Sequence, residues 1–182
     1  IIAIDGVSAS GKGTVSRLVA RRLRARVLDS GSLYRVVTLL GLRKKIRPKE
    51  HTRRDFERLV SRFVAKAVKR IKIVDGHFLL DGKRIDEMEE IRTELIDENV
   101  AHFAELPCVR EAVLSLQHQL ADGCKRLVAE GRDMTTVVFP HAKLRVFLKA
   151  SVEASAWRRT QQYKKAGKLA DFGKVLDMMY ER

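Results

Sequence analysis

The chain is poor in cysteine and aromatic residues and has no long apolar run. Its two cysteines, Cys108 and Cys124, fit neither a disulfide framework nor a metal-ligand spacing, and its five histidines are scattered, so no metal-ligating residue is predicted. No stretch approaches the roughly 18 to 20 apolar residues of a membrane span, and the start does not have the order of a signal peptide. These absences predict a soluble, cytoplasmic protein with no membrane partner.

Positive charge, in contrast, is in excess. The formal net charge is +14, and the segment from Arg17 to Arg54 holds thirteen Lys or Arg against only Asp29 and Glu50. Such a field attracts polyanions, either nucleotides or nucleic acid. The chain is only 6% aromatic, with too few aromatic residues among the basic ones for base stacking. We therefore expect nucleotide ligands and no nucleic acid, and keep an ATP-binding nucleic-acid-binding module as the alternative from another class.

The hydrophobic pattern predicts a single α/β domain. With 182 residues and 45% hydrophobic content the chain can bury a core. Strands are predicted at 1–5, 26–29, 127–129 and 144–148. Helical spacing follows the first strand and recurs at 32–42, 56–67, 91–104, 109–120 and 152–166. Alternating strands and helices indicate a parallel sheet flanked by helices.

Residues 70 to 85 interrupt this alternation with a small β-meander. Asp75-Gly76 and Asp81-Gly82 separate short β-favouring runs, and Asp-Gly is a strong hairpin signal. Because the meander lies in a helical region, residues from about 43 to 104 are interpreted as an α+β insertion into the core.

A phosphate-binding loop follows the first strand. The segment matches G-x-x-x-x-G-K, but the hydroxyl that usually follows the lysine is delayed by one position; its residues are Gly6, Val7, Ser8, Ala9, Ser10, Gly11, Lys12, Gly13 and Thr14. Glycines let backbone N–H groups converge on phosphate oxygens, and Lys12 is expected to reach the β- and γ-phosphates of ATP. With the hydroxyl displaced, Mg²⁺ is expected to be held mainly by phosphates and water, with Glu130 a candidate for a water-mediated contact.

Further motifs extend along the whole chain in a fixed order. They are LDSGSLYR (28–35), EIRT (90–93), PCVRE (107–111), EGRDMTTVVFP (130–140), KLRVFLKAS (143–151), WRRTQQYKKAG (157–167) and the terminal YER. In order and spacing these motifs closely resemble bacterial cytidylate kinases. The resemblance implies the P-loop nucleoside-monophosphate-kinase fold, with a core at about 1–42 and 105–182, the nucleotide-monophosphate-binding insertion at about 43–104 and a helical lid at about 155–170.

The resemblance also implies a set of site residues. It places Arg35 and Arg132 at the acceptor phosphate, with Ser30 beside them. Arg110 and Asp133 would read the base, since a guanidinium and a carboxylate match the acceptors and the amino group of cytosine. Each assignment has a structural alternative. Arg35 could be an ordinary surface charge, and Arg110 and Asp133 could form a structural ion pair. The remaining assignments are Lys12, Arg132, Arg158 and Arg159 to catalysis and Arg182 to the ribose.

The implied activity is ATP-dependent phosphorylation of CMP and dCMP to the diphosphate, with Mg²⁺, by a monomer. A broader UMP/CMP kinase or another small-molecule P-loop kinase is the alternative within the same class. Two polyanions must be held together in such a reaction, so several arginines have to converge on them.

Four departures from the family pattern bear on these expectations. Ala101 replaces a serine of the base site, Ser155 replaces an arginine of the lid, and Thr135 replaces a glycine and is expected to stiffen the turn after Asp133. The family also continues beyond Arg182 with an Asp- and Arg-bearing segment, a strand and a helix. Either that segment is absent, which would leave ribose recognition and lid closure incomplete, or it is not ordered.

Overall fold

The chain packs as two compact units. The computed structural model describes residues 1–74, 77–85, 87–165, 167 and 169–180. Residues 1–27 and 128–182 form the first unit, and residues 28–127 form the second. The predicted insertion, 43–104, falls inside the second unit, and its division from a core at 1–42 and 105–182 stays a prediction. Among the described residues, no helix has the length and apolar character needed to cross a lipid bilayer.

Strands and helices alternate along most of the chain. The strands are β1 (Ile2–Gly6), β2 (Arg26–Asp29), β3 (Ile71–Val74), β4 (His77–Leu80), β5 (Lys83–Arg84), β6 (Leu127–Gly131) and β7 (Leu144–Leu148). The helices are α1 (Lys12–Leu23), α2 (Ser30–Arg43), α3 (Arg53–Val68), α4 (Glu94–Ala104), α5 (Pro107–Ala121), α6 (Val152–Lys165) and α7 (Phe172–Tyr180). A 3₁₀ turn covers Pro48–Glu50, and wide π-helical turns cover Glu87–Ile91 and Met134–Val138.

The parallel sheet has four strands in the order β2-β6-β1-β7, which confirms the predicted α/β class. β1 pairs in parallel with β6 on one side and with β7 on the other. β1 therefore has a strand along each edge, and the apolar run that forms it is buried from Ala3 onwards. Helix α1 packs on the sheet through Ala20, which joins Ile4 and Val128 in one core cluster.

The strand register brings the ends of three strands to one edge of the sheet. Asp5 pairs with Gly131 of β6, and Gly6 pairs with Leu148 of β7. The segments that follow β1 and β6 therefore leave the sheet side by side. In open α/β sheets this carboxyl edge is where ligands bind.

The carboxylate of Asp5 ties these two segments together. It is 2% exposed. Its Oδ1 accepts a hydrogen bond from the Met134 backbone N–H at 2.8 Å, and its Oδ2 accepts from the Thr135 N–H at 2.8 Å and from Thr135 Oγ1 at 2.6 Å. A buried carboxylate needs such donors to offset its lost hydration. The end of β1 and the turn after Asp133 are thus fixed to each other, which gives the expected stiffening by Thr135 a physical basis.

The second unit is built around amphipathic helices. Buried residues recur on α3 at helical spacing and include Phe56, Val60 and Val64, as the sequence predicts. The ring of Phe56 meets Phe103 of α4 edge to face, with ring centroids 5.0 Å apart. Thr52 begins α3 by accepting a hydrogen bond from the Asp55 N–H through its side chain.

The predicted β-meander is present in the second unit. β3 and β4 pair antiparallel, as do β4 and β5. Asp81 and Gly82 both have positive φ, 51° and 80°, as the type I′ two-residue hairpin turn requires. The hydrogen bond from Arg70 lowers the pKa of the Asp81 carboxyl. The other predicted turn, Asp75-Gly76, lies outside the described residues.

Helix starts account for the main differences from the sequence-based prediction. Asp29 accepts a hydrogen bond from the Ser32 N–H at 3.0 Å, so α2 begins at Ser30 and not at 32. The prediction of one helix over 91–104 is wrong at its start, because Thr93 caps α4 and a wide turn precedes it. Side-chain capping of this kind overrides the hydrophobic period that extends past it.

Replacing Thr135 by Val tests the Asp5 contact. The substitution keeps the shape of the side chain but removes one of three donors to a buried charge, so we expect the free energy of unfolding to fall by about 1 to 3 kcal/mol. Urea denaturation followed by circular dichroism measures the change. The exposed neighbour Thr136 provides the matched control, and Thr136→Val should shift stability by less than about 0.5 kcal/mol. Equal losses in the two variants would contradict the role given to the Thr135 hydroxyl.

Candidate active site

The phosphate loop connects β1 to the N-terminus of α1 in the first unit. Ala9 and Gly11 both have positive φ, 58° and 95°, and these left-handed residues curl the backbone into a compact loop. An alanine in that region is strained, and such strain is found preferentially at functional sites. The loop closes with hydrogen bonds from the Thr14 and Val15 N–H groups to the Gly11 carbonyl, each 3.1 Å long. The partial positive charge of the α1 N-terminus is therefore at the loop.

Two predicted cations lie on this loop. Lys12 Nζ donates a hydrogen bond to the carbonyl of Val7 at 2.8 Å, which folds the lysine back across the loop. Arg158 Nη1, from α6, donates to the carbonyl of Ser10 at 3.0 Å. Residues 148 positions apart in the chain thus meet at one turn. An ammonium and a guanidinium held here can neutralise the charge of a bound polyphosphate.

Arg159, the neighbour of Arg158, has a different partner. Its guanidinium carbon lies 4.9 Å from the ring centroid of Tyr163, one helical turn further along α6.

Ser155 is 1% exposed, so the chain has a packed side chain where the family pattern has a lid arginine. At the end of α7, Tyr180 Oη donates to Glu153 Oε1 at 2.7 Å, which lowers the pKa of the Glu153 carboxyl and raises the pKa of Tyr180. Residues 166 and 168 of the predicted lid lie outside the described residues.

The position of Gly13 is explained by its surroundings. A Cβ on Gly13 would stand 3.0 Å from Glu130 Oε1 and 3.4 Å from the guanidinium nitrogens of Arg17. Glu130 is itself 7% exposed, at the end of β6. A serine or threonine side chain at residue 13 would crowd this carboxylate, whereas the hydroxyl of Thr14 is exposed on the next position. The displaced hydroxyl of the motif thus leaves room for Glu130.

Arg132 and Asp133 lie between β6 and the π-helical turn that Asp5 holds. Arg132 is exposed and Asp133 is half-buried. The turn shows i to i+5 hydrogen bonds, from Val138 N–H to the Asp133 carbonyl and from Phe139 N–H to the Met134 carbonyl. Single π-helical turns of this kind are frequent at functional sites.

The second unit holds Ser30, Arg35 and Arg110. Ser30 is 3% exposed, and its Oγ accepts a hydrogen bond from Gln117 Nε2 at 2.7 Å. Arg110 is exposed in the first turn of α5. Arg35 points from α2 to α4, where Nη2 lies 2.5 Å from Asp97 Oδ1 and Nη1 donates to the Ile91 carbonyl at 2.9 Å. Arg35 is therefore not a freely solvated surface charge.

A second arginine, which the sequence analysis did not single out, lies in the same unit. Arg92 Nη2 is 3.3 Å from Asp29 Oδ2 and 3.3 Å from Ser32 Oγ at the start of α2. The EIRT motif, which contains Arg92, was the feature of the sequence that could have indicated it. Asp97 had none, because nothing in the sequence distinguishes it from neighbouring carboxylates.

The structure thus groups the predicted residues within each unit. Lys12 and Arg158 meet on the phosphate loop, and Arg132 and Asp133 follow the neighbouring strand. Arg182 lies outside the described residues. Among the residues that the structure describes, no group of three or more His, Cys, Asp or Glu side chains could hold a metal ion by itself.

Comparison with known proteins places the chain in a family. The family model described as cytidylate kinase matches residues 2–182. Proteins named cytidylate kinase are 38% identical in Mycobacterium leprae (97% of this chain, 74% of that protein), 40% identical in Burkholderia thailandensis (100% and 75%) and 35% identical in Actinobacillus succinogenes (100% and 80%). With a family match over nearly its whole length, the chain belongs to the cytidylate kinase family.

Proposed function

We propose that this chain transfers the γ-phosphoryl group of ATP to CMP and dCMP. The observation that carries the proposal is the phosphate loop, where Lys12 and Arg158 both bond to loop carbonyls beside the N-terminus of α1. Within the cytidylate kinase family, such a loop would be the donor-nucleotide site. Residues 6 to 14 would hold the ATP phosphates through backbone N–H groups and Lys12.

The reaction needs no general base. The second pKa of a phosphate monoester is about 6, so the acceptor is largely a dianion at neutral pH. One of its oxygens attacks the γ-phosphorus, the bond from that phosphorus to the β-γ bridging oxygen breaks, and ADP leaves with that electron pair. The remaining task is to position the reactants and to neutralise charge, which Lys12, Arg158 and Arg159 would do for the transferred group. Closure of the segment at 155–170 would exclude water.

For the acceptor we propose the residues that the motifs indicate. Arg35 and Arg132 would bind its phosphate, with Ser30 beside them. Asp133 would accept from the cytosine amino group and Arg110 would donate to its ring acceptors. Arg182 would contact the ribose.

The oxygen ligands near the loop suit Mg²⁺, which prefers oxygen and keeps several waters. Such an ion would have the Glu130 carboxylate, which lies beside Gly13 of the loop, as an acceptor for its bound waters. Glu130 would hold it through water and Thr14 would supply a hydroxyl. When bound, the ion supplies charge neutralisation at the β- and γ-phosphates.

We further propose that the protein acts as a monomer in the cytoplasm, on small molecules and not on nucleic acid.

A coupled assay of ADP release tests the proposal with CMP, dCMP, UMP, AMP and GMP as acceptors. CMP and dCMP should be the fastest. Lys12→Ala should reduce turnover with CMP by about 10² to 10³-fold, because it removes an oriented charge from the transferred phosphate. Lys66→Ala, at an exposed position of α3, is the matched control and should keep wild-type turnover. ADP release that does not depend on CMP, or a Lys12 variant with normal turnover, would contradict the proposal.

A broader pyrimidine acceptor range is the second candidate, and Ala101 favours it. Ala101 is exposed on α4, where the family pattern has a serine at the base site. One lost hydroxyl partner is worth about 1 kcal/mol, or about five-fold in selectivity.

We therefore expect Ala101→Ser to raise the ratio of catalytic efficiencies for CMP over UMP by about five-fold. Steady-state kinetics with both acceptors measures that ratio. Ala65→Ser, at an exposed position of α3, controls for the substitution itself. A ratio that is the same in wild type and Ala101→Ser would exclude a role for residue 101 in base selection.

A further inference from the structure

The guanidinium of Arg35 is occupied by protein oxygens. Nη2 lies 2.5 Å from Asp97 Oδ1, and Nη1 donates to the carbonyl of Ile91 at 2.9 Å. The Arg35 and Asp97 side chains are 17% and 27% exposed, so solvent screens this pair less than the surface pair Arg47–Glu50, whose side chains are each 51% exposed. In the described part of the chain Asp97 has no other side-chain partner.

The local structure of α4 sets the position of Asp97. Thr93 caps the helix, and Asp97 follows in its first turn on the side that faces α2. The neighbouring Arg92 is in turn close to Asp29, the residue that caps α2. Each of the two pairs, Arg35 with Asp97 and Arg92 with Asp29, therefore carries one positive and one negative formal charge.

An arginine that is already paired with a carboxylate is a poor receptor for a dianion. A bidentate phosphate contact uses two parallel N–H donors of one guanidinium, either Nη1 with Nη2 or Nε with Nη2. Nη2 takes part in both pairs through its two N–H groups, and in Arg35 this nitrogen already has the Asp97 carboxylate 2.5 Å away. A phosphate that approaches either edge shares this nitrogen with a carboxylate and is repelled, or it displaces the carboxylate.

We infer that Asp97 competes with the acceptor phosphate for Arg35 and so sets the affinity of this chain for CMP. The inference rests on the proposed function, specifically on Arg35 as the acceptor-phosphate residue. Removing the negative charge at residue 97 should strengthen CMP binding, because Arg35 would no longer exchange one anion for another. The affinity for ATP should stay the same, since Arg35 is not assigned to the donor site.

Isothermal titration calorimetry of the whole chain with CMP, without ATP, tests the inference. We expect Asp97→Asn to lower the Kd for CMP by about five-fold or more, as expected for relief from a partly shielded ion pair. Asp97→Ala should change the Kd in the same direction and serves if the Asn variant does not fold. Glu50→Gln, which removes a carboxylate from the surface pair with Arg47, is the matched control and should leave the Kd unchanged. A separate titration with ATP should give the same Kd in all variants.

The outcomes separate the inference from the function on which it rests. If Arg35→Lys weakens CMP binding while both Asp97 variants bind CMP no more tightly than wild type, Asp97 does not compete and the inference fails alone. Weaker CMP binding in the Asp97 variants would instead make Asp97 a residue that positions Arg35, and would also overturn it. If wild type binds no CMP, or if Arg35→Lys leaves CMP binding unchanged, the acceptor assignment fails and the inference fails with it.

Discussion

The carboxylate of Asp5 is the contact on which the first unit depends. It lies at the end of the central strand, 2% exposed, and accepts three hydrogen bonds from Met134 and Thr135. The phosphate loop begins with the very next residue, while Arg132 and Asp133 directly precede the donors. Because a buried carboxylate without its donors would be costly, these two segments cannot separate without a large loss of stability. The Asp5 carboxylate thus holds the donor loop in place relative to Arg132 and Asp133, the two residues assigned to the acceptor.

Three of the candidate phosphate-binding cations are already bound by protein oxygens. Lys12 bonds to the Val7 carbonyl, Arg158 to the Ser10 carbonyl, and Arg35 to Asp97 and the Ile91 carbonyl. These contacts hold long, flexible side chains in defined positions, which lowers the entropy lost when a phosphate binds. They also have to be exchanged for contacts with the phosphate, so affinity is a difference between two sets of bonds. A carbonyl is a weak competitor for a cation, and a carboxylate such as Asp97 is a strong one.

The sequence was sufficient for features that depend on residues close together in the chain. Strands β2 and β7 were predicted to the residue, as was the Asp81-Gly82 turn, because hydrophobic period and turn chemistry are local signals. The contacts that organise the site join residues far apart, 62 positions for Arg35 and Asp97 and 130 for Asp5 and Thr135. Hydrophobic periodicity shows which face of a helix is buried, but not which of many carboxylates meets a given guanidinium. The start of α4 was misjudged for a related reason, since the Thr93 cap overrides the apolar pattern that precedes it.

The central claim is that Asp5 holds the donor loop and the Arg132–Asp133 segment in place together. Equilibrium binding of ATP and of CMP, each measured separately by calorimetry on Asp5→Asn, tests it most directly. The amide has the same shape, but it lacks the charge and turns one acceptor into a donor that faces N–H groups. The account predicts that both dissociation constants rise, each by about ten-fold or more, because one lost charge-assisted contact disturbs both segments. A folded Asp5→Asn protein that binds ATP and CMP as tightly as wild type would contradict it.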